Sequence, residues 1–325
     1  MMAYDLLTFG EALVEIMRTG IDQPLDQPGP FVGPYPSGAP FIFTVQAARL
    51  GARAACIGAV GGDAFGRFLL DSFAAEGLDT SVIRMLPDYA TGAAFIAYAD
   101  DGSRDFVFHI RHAAAGQIGP GSLTPEMLNG LKCLHITGSS LSIHEDAYRL
   151  GLRALDLAQA AGAKLSFDPN LRPQLIGVGD ARRKFAPFLQ ACDVLLTTRE
   201  ELLALSGAPD ERSAVEALLG GRSDRVLVIH AGDQGCAVYQ SLAGDVQAVT
   251  VPAFQVAAVD PTGAGDCFDA GFLVRWLAGD SPATAARFAN ACGALACTEK
   301  GPMAGAKTAA DVTAFLHAYQ ASEST

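Results

Sequence analysis

Apolar positions along the chain fall into short runs separated by longer stretches with helical spacing. Residues 6–9 are uniformly weakly polar or apolar and read as a buried strand. After Gly10-Glu11, residues 13–17 continue extended, while 18–36, rich in Pro, Gly and Gln, read as an irregular excursion. Residues 41–50 carry an apolar helical pattern that stops at Gly51. A strand at 54–60 leads through Gly61-Gly62-Asp63 into a helix bearing Phe65, Phe68, Leu69 and Phe73 and ending at Gly77. Residues 93–99 and 104–109 alternate with period two around Asp101-Gly102, which predicts a hairpin.

Beyond Pro120 strand and helix alternate again. Strands are expected at 133–136, 165–167, 194–196 and 226–229, then at 237–239 and 246–251. Ser142 and Glu145 stand at capping-box spacing before a helix running to Gly162. Residues 184–189 read as helical but interrupted by Pro187, and another helix runs to Leu205. Ser281-Pro282, and Thr308 with Asp311, mark the starts of the last two helices. This rhythm predicts an α/β fold with a mostly parallel sheet covered on both faces. With no internal repeat, residues 1–325 are expected to form a single domain with a small β element from segments near 11–36 and 88–113. Ligands of open parallel sheets bind beyond the C-terminal strand ends, and Gly38, Gly138, Gly232 and Gly263 adjoin such ends.

Composition narrows the chemistry. The net charge of -12 and the absence of a basic run argue against nucleic acid as a partner. Seven cysteines form no C-x-x-C pair, which suits reduced thiols, and no apolar run is long enough to span a bilayer. A cytoplasmic protein is expected. His109 and His112 end a strand-like alternation, so their H-x-x-H spacing does not point to a metal. There is no Walker loop and no G-x-S-x-G, H-E-x-x-H or G-x-G-x-x-G.

The most informative stretch is Val259-Asp260-Pro261-Thr262-Gly263-Ala264-Gly265-Asp266-Cys267-Phe268-Asp269-Ala270-Gly271-Phe272. Phe268, Phe272 and Trp276 recur at i+4, as on a helix face, and Gly263 and Gly265 flank Ala264 at its start. Small residues let a ligand approach the backbone, and the first N–H groups of a helix can face an anion. Asp266 falls in the first turn, beside those donors. Such a set suits phosphoryl transfer: N–H groups stabilise charge on the migrating group and a carboxylate takes a hydroxyl proton. Taken alone, G-x-G-D is equally a glycine-rich turn with a self-satisfied Asp.

The whole string resembles the signature D-T-x-G-A-G-D-x-F-x-A-G-F of the PfkB carbohydrate kinases, the ribokinase-like family, with Pro261 where the family usually has Thr. The chain looks nearest to fructokinases, tagatose kinases and 2-keto-3-deoxygluconate kinases. The resemblance implies a ribokinase-like fold, with the β element as a lid. It also implies Asp266 as general base and Gly263, Ala264 and Gly265 as the anion hole.

Further matches imply further roles. In Gly10-Glu11-Ala12-Leu13-Val14-Glu15, Glu15 stands where the family commonly has a sugar-binding Asp. Ser37-Gly38-Ala39-Pro40-Phe41-Ile42 resembles G-G-A-P-x-N, which puts Gly38 and Ala39 at the sugar, with Ile42 replacing the Asn. Residues 58–66 resemble the family's I-G-x-V-G-x-D-x-F-G and read as scaffold. Asp168-Pro169-Asn170-Leu171-Arg172 resembles D-x-N-x-R, with Arg172 reaching substrate or, alternatively, pairing with Asp168. Thr198 and Glu201 occupy the N-x-x-E positions tied to magnesium and phosphate, and also read as a helix cap. His230, Gly232 and Gly235 resemble the nucleotide-contacting turn, and Asn290 a position near the adenine. Asp260 and Thr262, with carbonyls of Ala296, Glu299 and Gly301, match a monovalent cation site, usually potassium.

The expectation is thus an ATP- and Mg2+-dependent kinase acting on a primary hydroxyl of a ketohexose or keto sugar acid. An apolar lid sheet predicts a homodimer. A nucleoside kinase, or a non-catalytic sugar or nucleotide sensor, are the alternatives; Glu15, Ile42 and Thr198 are the departures that would suit a sensor.

Overall fold

The computed structural model describes residues 3–242 and 245–323. The strands are β1 (Leu6–Phe9), β2 (Leu13–Ile21), β3 (Phe31–Ser37), β4 (Ala54–Gly61), β5 (Ile83–Leu86), β6 (Gly92–Tyr98), β7 (Arg104–His109), β8 (Cys133–Thr137), β9 (Lys164–Asp168), β10 (Val194–Thr198), β11 (Val226–His230), β12 (Cys236–Leu242) and β13 (Asp245–Val251). The helices are α1 (Ala39–Arg49), α2 (Ala64–Ala75), α3 (Gly138–Ile143), α4 (Glu145–Ala161), α5 (Val178–Ala191), α6 (Arg199–Ser206), α7 (Glu211–Leu219), α8 (Ala264–Leu277), α9 (Pro282–Ala296) and α10 (Ala309–Glu323).

One 9-stranded sheet has the order β13-β12-β11-β10-β9-β8-β1-β4-β5. Pairing is parallel from β5 to β11 and antiparallel only through the β12–β13 hairpin. Successive strand residues point to opposite faces, and both faces are buried here. Leu6, Cys133, Val194, Leu196, Val226 and Val228 pack with Phe43 of α1 and Phe268 and Phe272 of α8. Their neighbours Leu7, Leu134, Leu195 and Leu227 pack on the other side with Leu150 of α4, Phe185 and Phe188 of α5, and Val215 of α7. The expected doubly covered sheet is therefore present. Because β4 and β8 flank β1 on opposite sides, the chain switches direction there. A crevice opens at the C-terminal ends of β1 and β8.

A separate 4-stranded sheet has the order β3-β2-β6-β7. The hairpin around Gly102 forms as expected, in register from Ala93↔His109 to Tyr98↔Arg104. Residues 18–36 are the irregular stretch their composition suggests only over 22–30. Strand β2 runs on to Ile21, and β3 forms despite Pro34 and Pro36. An edge strand tolerates proline because one side of it needs no ladder bond.

Three other local expectations are corrected. Ser142 does not cap α4: its hydroxyl donates to the Gly138 carbonyl at 2.6 Å within α3, and His144 caps α4 through Asp146 N–H. Helix α5 runs through Pro187 without a break, since Phe185, Phe188 and Leu189 around it are buried and packing outweighs one lost backbone bond. Helix α7, which sequence pattern did not predict, is capped by Asp210, whose carboxylate accepts the Ser213 N–H at 2.8 Å. The caps at Ser281 and at Thr308 with Asp311 are as expected.

The Phe188 ring is fully buried, with centroids 5.7 Å from Phe167 and 6.2 Å from Tyr148. Phe188→Ala is expected to lower stability by about 3–5 kcal/mol, read as a shifted urea midpoint with unchanged slope.

Candidate active site

The site is built around the first turn of α8. Gly263, its N-cap, has φ +80°, and a Cβ there would lie 2.5 Å from the Pro302 carbonyl and 3.0 Å from Ile42 Cγ2. Only glycine fits that conformation and that space. Gly265 differs: nothing lies within 4 Å of where its Cβ would be. The helix thus presents an open backbone face at its N-terminus, where first-turn N–H groups lack intrahelical partners. Of the expected anion-hole donors, the Ala264 N–H is directed at the Pro261 carbonyl, at 3.3 Å. The left-handed turn at Gly263 brings it there, so Ala264 is the weakest donor of the set.

Asp266 stands in this first turn, partly open to the cleft. Burial pushes its carboxyl well above the ordinary carboxylate range. The Asp168 and Asp269 carboxyls push it further, and Arg172 pulls it back. The helix N-terminus also favours the ionised form, but acidic neighbours and desolvation win. Asp168 is itself raised by burial, then by Asp269 and Glu201. Each of these carboxyls disfavours ionisation of its neighbours.

Asp168 does not pair with Arg172. Its carboxylate accepts the Asn170 N–H at 2.9 Å and Asn170 Nδ2 at 3.1 Å. The Arg172 guanidinium makes no hydrogen bond or ion pair among the described residues, and its charge is felt by Glu11, Glu15 and Asp266. It is an uncommitted cation at the mouth of the crevice.

Glu15 is buried on β2. Oε1 accepts the Ser37 hydroxyl at 2.6 Å, while Oε2 has no partner among the described residues. Burial pushes its carboxyl from 4.5 up to about 7; Ser37, Arg104 and Arg172 oppose this, and Asp260 adds to it. Gly38, beside Ser37, has φ +113°, and a Cβ there would meet the Glu11 carbonyl at 1.9 Å. Ala39 opens α1, followed by Ile42, whose buried side chain packs towards Gly263.

Other candidates serve structure first. Thr198 and Glu201 form a capping box on α6, and Glu201 Oε1 also accepts the Leu171 N–H at 2.7 Å. His230 turns inward: its ring lies 4.4 Å from Phe268, and Nε2 is 3.2 Å from Asp269 Oδ1 without hydrogen-bond alignment. Burial lowers His230 and raises Asp269, which favours a neutral imidazole beside a protonated carboxyl. Gly232 is open, whereas a Cβ on Gly235 would strike the Val251 carbonyl at 2.1 Å. Asn290 donates to the Val251 and Pro252 carbonyls at 3.1 and 3.0 Å, tying α9 to β13. Ala296 ends α9, and Glu299 pairs with Lys307. Asp260, Thr262 and Gly301 are held by protein donors: Asp260 accepts the N–H groups of Thr262 and Gly301, each at 3.0 Å.

Sequence reasoning missed four contributors. Glu11 accepts Ser139 at 3.0 Å and Ser140 at 2.8 Å across the β1–β8 crevice. Tyr98 and Arg104 reach Asp260 and Thr262 from the small sheet. Asp269 lies one turn beyond Asp266. Its i+3 spacing was the only available signal. A groove of about 930 Å³ between α7 and the β12–β13 hairpin, lined by Glu211, Tyr239 and Val246 among others, contains none of these residues.

The chain is similar to known proteins along nearly its whole length. Residues 6–309 match the pfkB family carbohydrate kinases. A fructokinase-1 of Oryza sativa subsp. japonica is 33% identical over 320 residues, covering 96% of this chain and 97% of that protein. An E. coli structure described as a ribokinase II in complex with ATP and Mg2+ superposes with a TM-score of 0.88 at 36% identity, covering 97% of this chain and 99% of that one. A double mutant of Vibrio cholerae O395 fructokinase, in a fructose-, ADP- and potassium-bound form, gives 0.79 at 25% identity, covering 97% and 100%.

Two predictions test the site. Gly265→Ala is expected to leave the melting temperature unchanged or slightly higher, because the space is open. Gly263→Ala is expected to lower it, because backbone and φ both forbid a Cβ. Glu15 gives a pH signature. A carboxyl raised on folding costs stability as it ionises. Relative to Glu15→Gln, urea-derived stability is expected to be full below pH 4.5 and to fall by about 3 kcal/mol as pH rises to about 7; a flat difference would contradict the burial argument.

Proposed function

The chain belongs to the pfkB family of carbohydrate kinases, and from that premise we propose that it transfers the γ-phosphoryl group of ATP to a primary hydroxyl of a ketohexose or keto sugar acid. Its family makes it an ATP-dependent sugar kinase. The finer reading rests on one observation: Asp266 stands in the first turn of a helix opened by Gly263, beside first-turn N–H groups that lack intrahelical partners.

Asp266 accepts the proton of the attacking hydroxyl. The N–H groups of Gly263, Gly265 and Asp266, with a smaller share from Ala264, stabilise charge on the transferring group. Open space at Gly265 supports close approach of phosphate to this backbone. Glu15, with its unpartnered Oε2, accepts a sugar hydroxyl while the Gly38-Ala39 backbone lines the same wall. Arg172 offers its free fork to substrate oxygens, a keto acid's carboxylate included. The fructokinase relatives favour the ketohexose; the free guanidinium favours the acid.

Among the described residues no three His, Cys, Asp or Glu side chains are placed to hold a metal directly. The unpartnered Asn170 Oδ1, beside Asp168 and Glu201, nevertheless offers a hard oxygen that suits hydrated magnesium. Magnesium there would neutralise and orient the ATP phosphates. On the nucleotide side, Gly232 and Gly235 shape the turn and Asn290 holds the neighbouring strand end, while Thr198 holds Glu201. The small sheet is read as a lid that excludes water from the transfer. Its exposed Ile21, Phe31 and Val107 support pairing with a second copy through that face. Seven free cysteines support a reducing, cytoplasmic setting.

The test is sugar-dependent ADP release with Mg-ATP, using fructose, tagatose, 2-keto-3-deoxygluconate, ribose and adenosine. Turnover is expected on one of the first three. Asp266→Asn is expected to cut kcat by about 100-fold or more without unfolding the protein. Turnover only on adenosine would favour a nucleoside kinase. Sugar or ATP binding without any turnover would favour a sensor.

A further inference from the structure

The side chains expected to hold a monovalent cation are engaged by the protein itself. Tyr98 and Arg104 form the last rung of the β6–β7 hairpin, and both reach the segment that enters α8. Arg104 Nη1 donates to Thr262 Oγ1 at 3.3 Å; Thr262 Oγ1 and the Tyr98 hydroxyl are 3.1 Å apart; Tyr98 donates to Asp260 Oδ1 at 3.2 Å. One donor chain therefore runs from the guanidinium through two hydroxyls to the carboxylate. Asp260 Oδ1 also accepts the Thr262 N–H, and Oδ2 the Gly301 N–H, both at 3.0 Å. The Gly301 carbonyl, another expected ligand, accepts the Ala304 N–H at 3.3 Å.

Arg104 has no carboxylate partner in an ion pair among the described residues, and its charge is felt at both Glu15 and Cys297. Its positive charge thus falls beside Asp260 and Thr262, one residue before the α8 N-cap. A second cation at those same side chains would face repulsion from it and would share their oxygens with hydroxyl and amide donors. The side-chain oxygens are thus less favourable to a cation while the hairpin rung is docked.

We propose that Arg104, docked with Tyr98 onto Thr262, supplies a positive charge beside the α8 N-terminus in place of a monovalent cation, so that phosphoryl transfer here does not depend on potassium. The proposal rests on the kinase reading above. Arg104 is a positioning residue: it acts on the reacting phosphoryl group through Thr262 and through its field.

The experiment replaces KCl with choline chloride at constant ionic strength. It reads two quantities in wild type, Arg104→Ala and Arg104→Lys: kcat on the sugar found by the panel, and melting temperature. Wild type and Arg104→Lys are expected to show the same kcat and melting temperature in both salts. Arg104→Ala is expected to lose kcat at least about tenfold in choline, to recover with potassium, and to gain a potassium-specific rise in melting temperature. Potassium activation or potassium-specific stabilisation of the wild type overturns the proposal. So does an Arg104→Ala protein indifferent to potassium in both readouts. If no sugar is turned over, the kinase reading fails on its own, and the melting comparison still decides whether potassium binds.

Discussion

The geometry of the site depends on a backbone turn into which no side chain fits. At Gly263 the chain takes a left-handed conformation while passing the Pro302 carbonyl on one side and Ile42 on the other. That turn starts α8, aims its free N–H groups into the crevice, and sets Asp266 in the first turn. The rest of α8 then buries Phe268 and Phe272 against the sheet, so sheet packing anchors the helix at whose open end the phosphoryl transfer is proposed. Ile42 gains a physical meaning here. Where the family pattern has Asn, this chain sets an apolar wall against the turn.

Electrostatics at the site are local and opposed to the surface. A chain of net charge -12 does not attract phosphate globally. Within the crevice, Glu11, Glu15, Asp168, Asp266 and Asp269 are all raised, with desolvation first among the causes for each. Arg172 opposes the rise at Glu11, Glu15 and Asp266, and Arg104 opposes it at Glu15. Two guanidiniums thus temper a set of buried carboxyls, one from the sheet side and one from the hairpin. The small sheet is therefore part of the charge balance of the site as well as a cover.

Some residues with functional resemblance turned out to be held by structural bonds. Thr198 and Glu201 satisfy helix N–H groups, Asn290 satisfies strand-end carbonyls, and His230 faces Asp269. These bonds do not remove the residues from the site. They fix the loops that carry Leu171, Val251 and the turn at Gly232.

The alternation of apolar runs and helical spacing, read alone, determined the parallel sheet, most of its helices and the hairpin at Gly102. The string from Asp260 to Phe272 determined the glycine-bounded start of α8. Both are legible because they are local: period two, period 3.6 and a glycine-bounded turn are properties of consecutive residues. Tertiary structure alone decided the rest. Arg104 meets Thr262 across 158 residues, and Glu11 meets Ser139 across 128. Ser142 turned from α4 to the Gly138 carbonyl, and Pro187 stayed inside a helix because the sheet beneath it was already a packing surface. Such contacts depend on which strands become neighbours, and that is settled by burial on both faces of the sheet rather than by any short pattern along the chain.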